Sequence, residues 1–407
     1  MASVRLLTVR WLAGRAKGPG LLLSRTIRSG LLTTVLASVA ITMGGCLPAT
    51  AFIETLEPPA WAAPAVPSIA PSSELRCREG EIPLLESDLV DTRVIGCDLL
   101  VRDPGIRIAA CEFVDSRLLV EGAADLVIEN CVFRDRYRTE EAAINFYRAI
   151  RPVVRGCLIE RNFIGVGAHE SVDVHIERCT FLGNDGHNAI TIDLGSTGEV
   201  RDCFFANSFP HAILVGSGTP RGRILIEHNW IEYTVEDAIN FENFSSSEPS
   251  LVRDNIILNT GWAGINVEYL SWQANLTIDG NFIEASGTDL DLFPRHPDQP
   301  EPYAEGWKHG ILLEDCSGVT VCGNTITACE GTGIELVNAR DVALEFNLVT
   351  ACNLGIALRS HNEASLVRPM FPLPESEAGI SSASAEGNTL EQNVEGDWQI
   401  DPGCVLE

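Results

Sequence analysis

Residues 237–242 read DAINFE and residues 263–268 read AGINVE, one pattern returning after 26 positions. A second phrase, apolar-x-x-(Cys or Asn)-x-apolar, recurs with it as IENCVF, VRGCLI, IERCTF, VRDCFF, IEHNWI, VRDNII, IDGNFI, VCGNTI and LEFNLV. Its fourth position falls on Cys131, Cys157, Cys179, Cys203, Asn229, Asn255, Asn281, Asn324 and Asn347, at steps of 26, 22, 24, 26, 26, 26, 43 and 23. Each unit then carries an Ala or Gly followed by an apolar residue, from Ala143-Ile144 through Ala238-Ile239 and Gly264-Ile265 to Gly355-Ile356. Short alternating apolar runs rich in β-branched residues specify strands, and no unit has room for an ordinary helix. Each unit is therefore one coil of strands. A coil cannot bury its apolar face alone, so stacked coils about 4.8 Å apart build a continuous core. On this reading DAINFE and AGINVE are the same strand on neighbouring rungs.

The strand starts GILL, GIEL and GIAL, with VCGNTI and IDGNFI, resemble the right-handed parallel β-helix superfamily, the pectate-lyase-like solenoids with right-handed β-helix repeats. The resemblance covers about residues 75 to 400 and implies an all-β fold, a single-stranded right-handed parallel β-helix of about 10–13 coils; the hand comes from the resemblance. From Cys77 to Cys111 the anchors are irregular, so the first rungs are not aligned. Polygalacturonases of that superfamily carry Asn-Thr-Asp, Asp-Asp, His-Gly and Arg-Ile-Lys motifs, of which only His309-Gly310 is present. The Asp-Pro-His of alginate epimerases is also missing. No particular activity carries over.

The 407 residues, 45% apolar, suffice for one long domain. Residues 1–51 hold six basic residues and no acid, followed by the apolar stretch GLLTTVLASVAITMGG, and read as an export signal. Cleavage after Ala51 competes with lipidation at Cys46, and an acid-free, Arg-rich start also fits a mitochondrial transit peptide. Residues 52–74 read as a Pro/Ala/Ser-rich linker and 75–403 as the β-helix, with inserted loops near 288–309 and 366–386. The expected location is periplasmic, extracellular or on the outer envelope, and the expected state is a monomer. A net charge of −27, deeper still without the basic leader, excludes nucleic acid as a partner and suits cations, or sugars bound with them.

Thirteen cysteines would ordinarily suggest disulfides in an exported chain. Cys131, Cys157, Cys179 and Cys203, however, share one position that Asn takes over from Asn229. An inward corner suits both, since Asn can bond the turn and its neighbour in the stack while a thiol packs as a small hydrophobe. With no Cys-x-x-Cys pair in the chain, packing is favoured over metal or redox roles.

Side chains alternate along a strand, so two outward columns follow each inward apolar residue. The first runs Asn145, Thr191, Leu214, Asn240, Asn266, Leu312, Glu335, Ala357 and the second Tyr147, Asp193, Gly216, Glu242, Glu268, Glu314, Val337, Arg359. Glu242, Glu268 and Glu314 would stand roughly 5 Å apart by backbone spacing, and directly neighbouring like charges destabilise a sheet. Bound Ca²⁺ would offset the repulsion, as would a carboxyl held protonated for acid catalysis. Alternatively the three acids simply splay into water.

Other residues reach this face from the turn before the strand: His187, Asn188, His211, Asp237, Lys308 and His309. Trp262 and Trp307 supply flat rings of the kind sugars stack on. The insertion near 288–309 delivers Trp307, Lys308 and His309 beside Glu314. The expected catalytic set is thus Asp237, Glu242, Glu268, Lys308, His309 and Glu314. Expected substrate contacts are His211, Asn240, Trp262, Asn266 and Trp307, with Glu242, Glu268 and Glu314 as Ca²⁺ ligands. Such a face would act on a polysaccharide by lyase or glycoside hydrolase chemistry. The alternative is a non-catalytic surface scaffold that binds a glycan or a protein.

Overall fold

The computed structural model describes residues 66–406 apart from 79–80, 137–140, 185, 217, 219–221, 269–273, 288–307, 361–380 and 403. Residues 58 and 64 and the strands Leu7–Val9 and Arg25–Ile27 are also described. Two units separate, Met1–Pro59 and Ala60–Glu407. In the first, Leu7–Val9 pairs antiparallel with Arg25–Ile27. Cys46, Trp307 and the expected signal apart from these two strands lie outside the described residues.

The second unit is a parallel β-solenoid, with no helix among its described residues. Three sheets of 13 strands each run its length, every strand pairing with its counterpart about one coil away. The repeated phrases explain the register. Ile239, Asn240, Phe241 and Glu242 lie opposite Ile265, Asn266, Val267 and Glu268, which in turn face Ile311, Leu312, Leu313 and Glu314. Ile144, Val166, Ile190, Ile213, Ile239, Ile265, Ile311, Ile334 and Ile356 form one inward column, all 0% exposed. Aromatic rings stack beneath another sheet, Phe113 on Phe133 at 4.4 Å and Phe181 on Phe205 at 4.7 Å between centroids. Such stacks add to the area buried.

The shared corner behaves as its two residue types require. From Asn229 on, each side chain accepts from the backbone N–H of the preceding ladder residue and donates to a carbonyl of the preceding coil. Asn255 Oδ1 accepts from Asn229 N at 3.0 Å and from Asn229 Nδ2 at 2.9 Å; Asn255 Nδ2 donates to Ile226 O at 3.0 Å and to Asn281 Oδ1 at 2.9 Å. Asn281, Asn324, Asn347 and Asn388 continue the ladder. The residue before each anchor adopts φ near +50 to +65°, which is why Gly, Asn and Asp recur there: Asn130, Gly156, Asp202, Asp254, Gly280 and Gly323. Asn255→Leu strands the N–H of Asn229 and the carbonyl of Ile226. We expect it to cost about 2–5 kcal/mol in urea unfolding, at roughly 1–3 kcal/mol per buried group left unpaired. A loss below about 1 kcal/mol would show that the ladder is dispensable.

In the thiol half, Cys131, Cys157, Cys179 and Cys203 are buried, and their Sγ–H groups donate to carbonyls, as Cys131 does to Glu129 O at 3.3 Å. Burial pushes the thiols of Cys131, Cys157 and Cys179 well above the usual range, so they stay unreactive in the folded chain. One pair departs from the packing expectation. Cys77 and Cys97 are disulfide-bonded, their Cα atoms 5.1 Å apart, within the reach such a bond needs. They belong to a different corner from the Cys131 ladder, which explains why that anchor spacing did not align them. Three boundaries also shift. The first solenoid strand is Ser73–Arg76, Ser382–Glu386 is a strand that ends the second insertion early, and Val405–Leu406 extends the solenoid past residue 403.

Candidate active site on one sheet face

The sheet containing Ile239–Glu242, Ile265–Glu268 and Ile311–Glu314 carries the expected residues on its outer face. Both outward columns are in the register read from the sequence. One rung was missing from that reading: Val166 brings Gly167 and His169 between the rungs of Ile144 and Ile190. His169 Nδ1 lies 2.5 Å from Asp193 Oδ1. A third outward position, two residues before each inward one, stacks Asn188, His211, Asp237, Ala263, His309 and Thr332.

The two phrases of the opening are tied to each other by a crossed pair of hydrogen bonds. Asn240 Nδ2 donates to Glu268 Oε1 on the next rung at 3.1 Å, and Asn266 Nδ2 donates back to Asp237 Oδ2 at 3.2 Å. Asp237 Oδ1 also accepts from Ala263 N at 2.9 Å. Asp237 is 1% exposed, Glu268 half-buried and Glu242 exposed. Asp237 therefore backs the face, while Glu268 and Glu242 present theirs on adjacent strands.

Electrostatics follow from that placement. Burial, then the neighbouring charges of Asp237, Glu242 and Glu314, push Glu268 up to about 8 against the bond from Asn240. Burial also lifts Asp237 to about 7, helped by Glu236 and opposed by Ala263 N and Asn266. Glu236 rises to about 7 through burial and the charge of Glu268. Its position before the strand matches that of His187 and Lys308, so the rule that selected those two also points to Glu236. His211 lies 3.8 Å from Glu236 and 3.7 Å from Asp237. Burial and His187 lower it to about 3, leaving it neutral. The repulsion expected among the stacked acids is thus relieved by protonation. Glu242, Glu268 and Glu314 do stand in register, but among the described residues no group of three or more His, Cys, Asp or Glu side chains is arranged to hold a metal ion.

Lys308 and His309 turn to other partners. Lys308 Nζ binds Glu330 at 2.6 Å on the exposed edge. His309 Nδ1 accepts from Thr332 N at 3.1 Å, which places the proton of the neutral ring on Nε2. Burial lowers its pKa. Beyond it, Glu335 Oε2 accepts from Thr332 Oγ1 at 2.6 Å and Glu335 Oε1 from Arg359 Nε at 2.8 Å. Burial would raise Glu335, but His309, Arg359 and Thr332 outweigh it and hold the carboxyl below its ordinary range. Trp262 is half-buried on the column of Glu236, whose carbonyl accepts from Trp262 N at 3.2 Å.

Comparison with known proteins gives two family matches: right handed beta helix region over residues 93–231, and periplasmic copper-binding protein (NosD) over residues 220–372. No curated relative matches. Among solved structures, the periplasmic alginate epimerase AlgG is similar at 12% identity and a TM-score of 0.43, covering 84% of this chain and 78% of that one. The catalytic domain of a GH87 alpha-1,3-glucanase gives 11% and 0.43, covering 84% and 70%. The Azotobacter vinelandii mannuronan C-5 epimerase AlgE4 A-module gives 11% and 0.42, covering 82% and 89%. At these values none of them carries chemistry to this chain. Three continuous parallel sheets, one residue ladder at the corner and the match to the β-helix repeat family make this chain a right-handed parallel β-helix repeat protein.

Proposed function

We propose that this protein is an exported enzyme that hydrolyses a polysaccharide on the outer face around Glu242 and Glu268. The observation that carries the reading is the carboxyl environment. Glu268 is held protonated to about pH 8 by burial and by neighbouring acids, and an exposed carboxylate, Glu242, stands beside it on the adjoining strand. One carboxyl kept protonated beside a second, solvent-exposed carboxyl is what acid-assisted glycoside cleavage requires. Glu268 donates its proton to the leaving oxygen, and Glu242 acts as nucleophile or base. Asp237 is a positioning residue that fixes Asn266 and keeps Glu268 protonated. Export rests on the basic, acid-free leader followed by an apolar run.

The geometry favours hydrolysis over a lyase reaction. A lyase needs a base for the sugar C–H proton, and the two candidates are otherwise engaged: Lys308 is neutralised by Glu330, and His309 offers an N–H at Nε2. A screen of polysaccharides that follows new reducing ends and unsaturated products in parallel tests this. Reducing ends without unsaturation are expected. Unsaturated product would establish the lyase, and retention on an affinity gel without cleavage would establish a binding scaffold.

Strand spacing makes a further prediction. Adjacent parallel strands lie about 4.8 Å apart, close to the roughly 5–5.5 Å carboxyl separation of retaining enzymes and short of the roughly 6.5–9.5 Å of inverting ones. The first product seen by proton NMR is therefore expected to keep the anomeric configuration of the substrate. An inverted first product would remove Glu242 as nucleophile.

A further inference from the structure

Resting on the hydrolytic reading, we propose that this face takes an uncharged polysaccharide, recognised through its hydroxyl groups, and rejects polyuronates. Two buried acceptors carry the proposal. Asn240 Oδ1 and Asn266 Oδ1 lie on the outer face with no hydrogen-bond partner among the described residues, in residues only 3% and 4% exposed. The orientation of each amide is set by its nitrogen, which donates to Glu268 in one case and to Asp237 in the other. Each oxygen is left needing a donor, and an unsatisfied buried carbonyl costs about 1–3 kcal/mol. A sugar hydroxyl supplies a donor, and oxidising C6 to a carboxylate removes one such donor from each residue while adding a charge. Asn145 Oδ1 and Asn188 Oδ1 on the same sheet are unpartnered in the same way, so acceptors recur over several rungs, as an extended ligand requires.

Charge argues in the same direction. Glu236, Asp237, Glu242, Glu268 and Glu314 share the face, and the cations beside them are already bound: Lys308 to Glu330 at 2.6 Å and Arg359 to Glu335 at 2.8 Å. Glu335 is itself 2% exposed, so releasing Arg359 would strand a buried carboxylate. Among the described residues, a uronate would approach these acids without a free cation to meet it. A neutral sugar brings no charge to this face.

The test uses matched polymers: neutral glucan, mannan and galactan, each with its C6-oxidised counterpart of the same linkage and length. Binding is measured with the full chain carrying Glu268→Gln, at fixed ionic strength, and cleavage with the native chain. At least one neutral polymer is expected to bind, with its oxidised form weaker by tenfold or more. An oxidised polymer bound as well as its neutral parent, or better, overturns this proposal and leaves hydrolysis standing. If no polymer is bound or cut, both readings fall. Glu242→Lys places a cation on an exposed position and is expected to narrow the gap by strengthening the oxidised polymer's binding; an unchanged gap would show that charge does not exclude uronates and would overturn the proposal.

Discussion

Glu268→Gln is expected to lower turnover of the cleaved polysaccharide by about 10²–10⁴, the usual contribution of a positioned proton donor. Glutamine keeps the shape and can still meet Asn240, so KM should move little while kcat falls. Glu242→Gln should lose a comparable factor, because it removes the other half of the reaction. Asp237→Asn is the discriminating control. Its side chain is buried, so its substitution is expected to act through Glu268, whose high pKa it supports by proximity. The alkaline limb of the kcat/KM profile, placed near pH 8 by Glu268, should then shift to lower pH. A pH-independent loss in Asp237→Asn would mean that Asp237 is only structural, and full activity in Glu268→Gln would end the assignment of the acid.

The second large effect is on stability. In the unfolded chain Glu236, Asp237 and Glu268 titrate at ordinary carboxyl values, 4.5, 3.8 and 4.5, while in the fold they hold their protons to about 7, 7 and 8. Below about pH 4 both states are protonated and the groups are neutral to stability. Between there and about pH 8 the unfolded chain has released protons that the folded chain retains, so stability falls with each rise in pH. The loss is complete once the folded groups ionise. While the folded and unfolded chains differ in protonation, each further pH unit costs about 1.4 kcal/mol per group. Acids held low by partners, such as Glu129 by Arg155 and Glu335, act oppositely and lose their contribution below about pH 4.5. The melting temperature should therefore peak near pH 5, fall towards pH 9, and fall less in Glu268→Gln. A flat profile would contradict the protonated cluster. Calcium separates the remaining alternative: if protons do the work, Ca²⁺ at pH 7 should raise Tm no more than NaCl of equal ionic strength, whereas a larger rise, weakened by Glu268→Gln, would restore the cation column.

The architecture and both outward columns were legible because each rests on a local rule. Alternation along a strand and a repeated corner residue together determine which side chains point out, and the inward isoleucines then align the rungs. Gly165-Val166 reads as a unit of the repeat, but its outward residues Gly167 and His169 did not enter the columns, the first of them having no side chain. The Cys77–Cys97 bond escaped because it sits at another corner. The chemistry of the site was harder to read for a different reason. Asn240 and Glu268 are 28 residues apart, and Asn266 and Asp237 are 29 apart. Side-chain direction across a rung boundary and the burial of Asp237 arise only on stacking, and they decide which acid keeps its proton. Lys308 and His309 show the same limit. Their place beside Glu314 was readable, but their capture by Glu330 and Thr332 was not.

The crossed asparagines have a consequence for heredity. Neither 26-residue unit encodes the site; it is written across the seam where one copy meets the next. Duplicating such a unit in frame would create a second seam and with it, on the proposed reading of the site, a second proton donor beside a carboxyl group, with no further substitution. Excising one would erase the site while leaving every remaining strand in register. In a chain built this way, gain and loss of chemistry can be matters of copy number, and the count of neighbouring Asn-x-Glu strands is the count of places where it can occur.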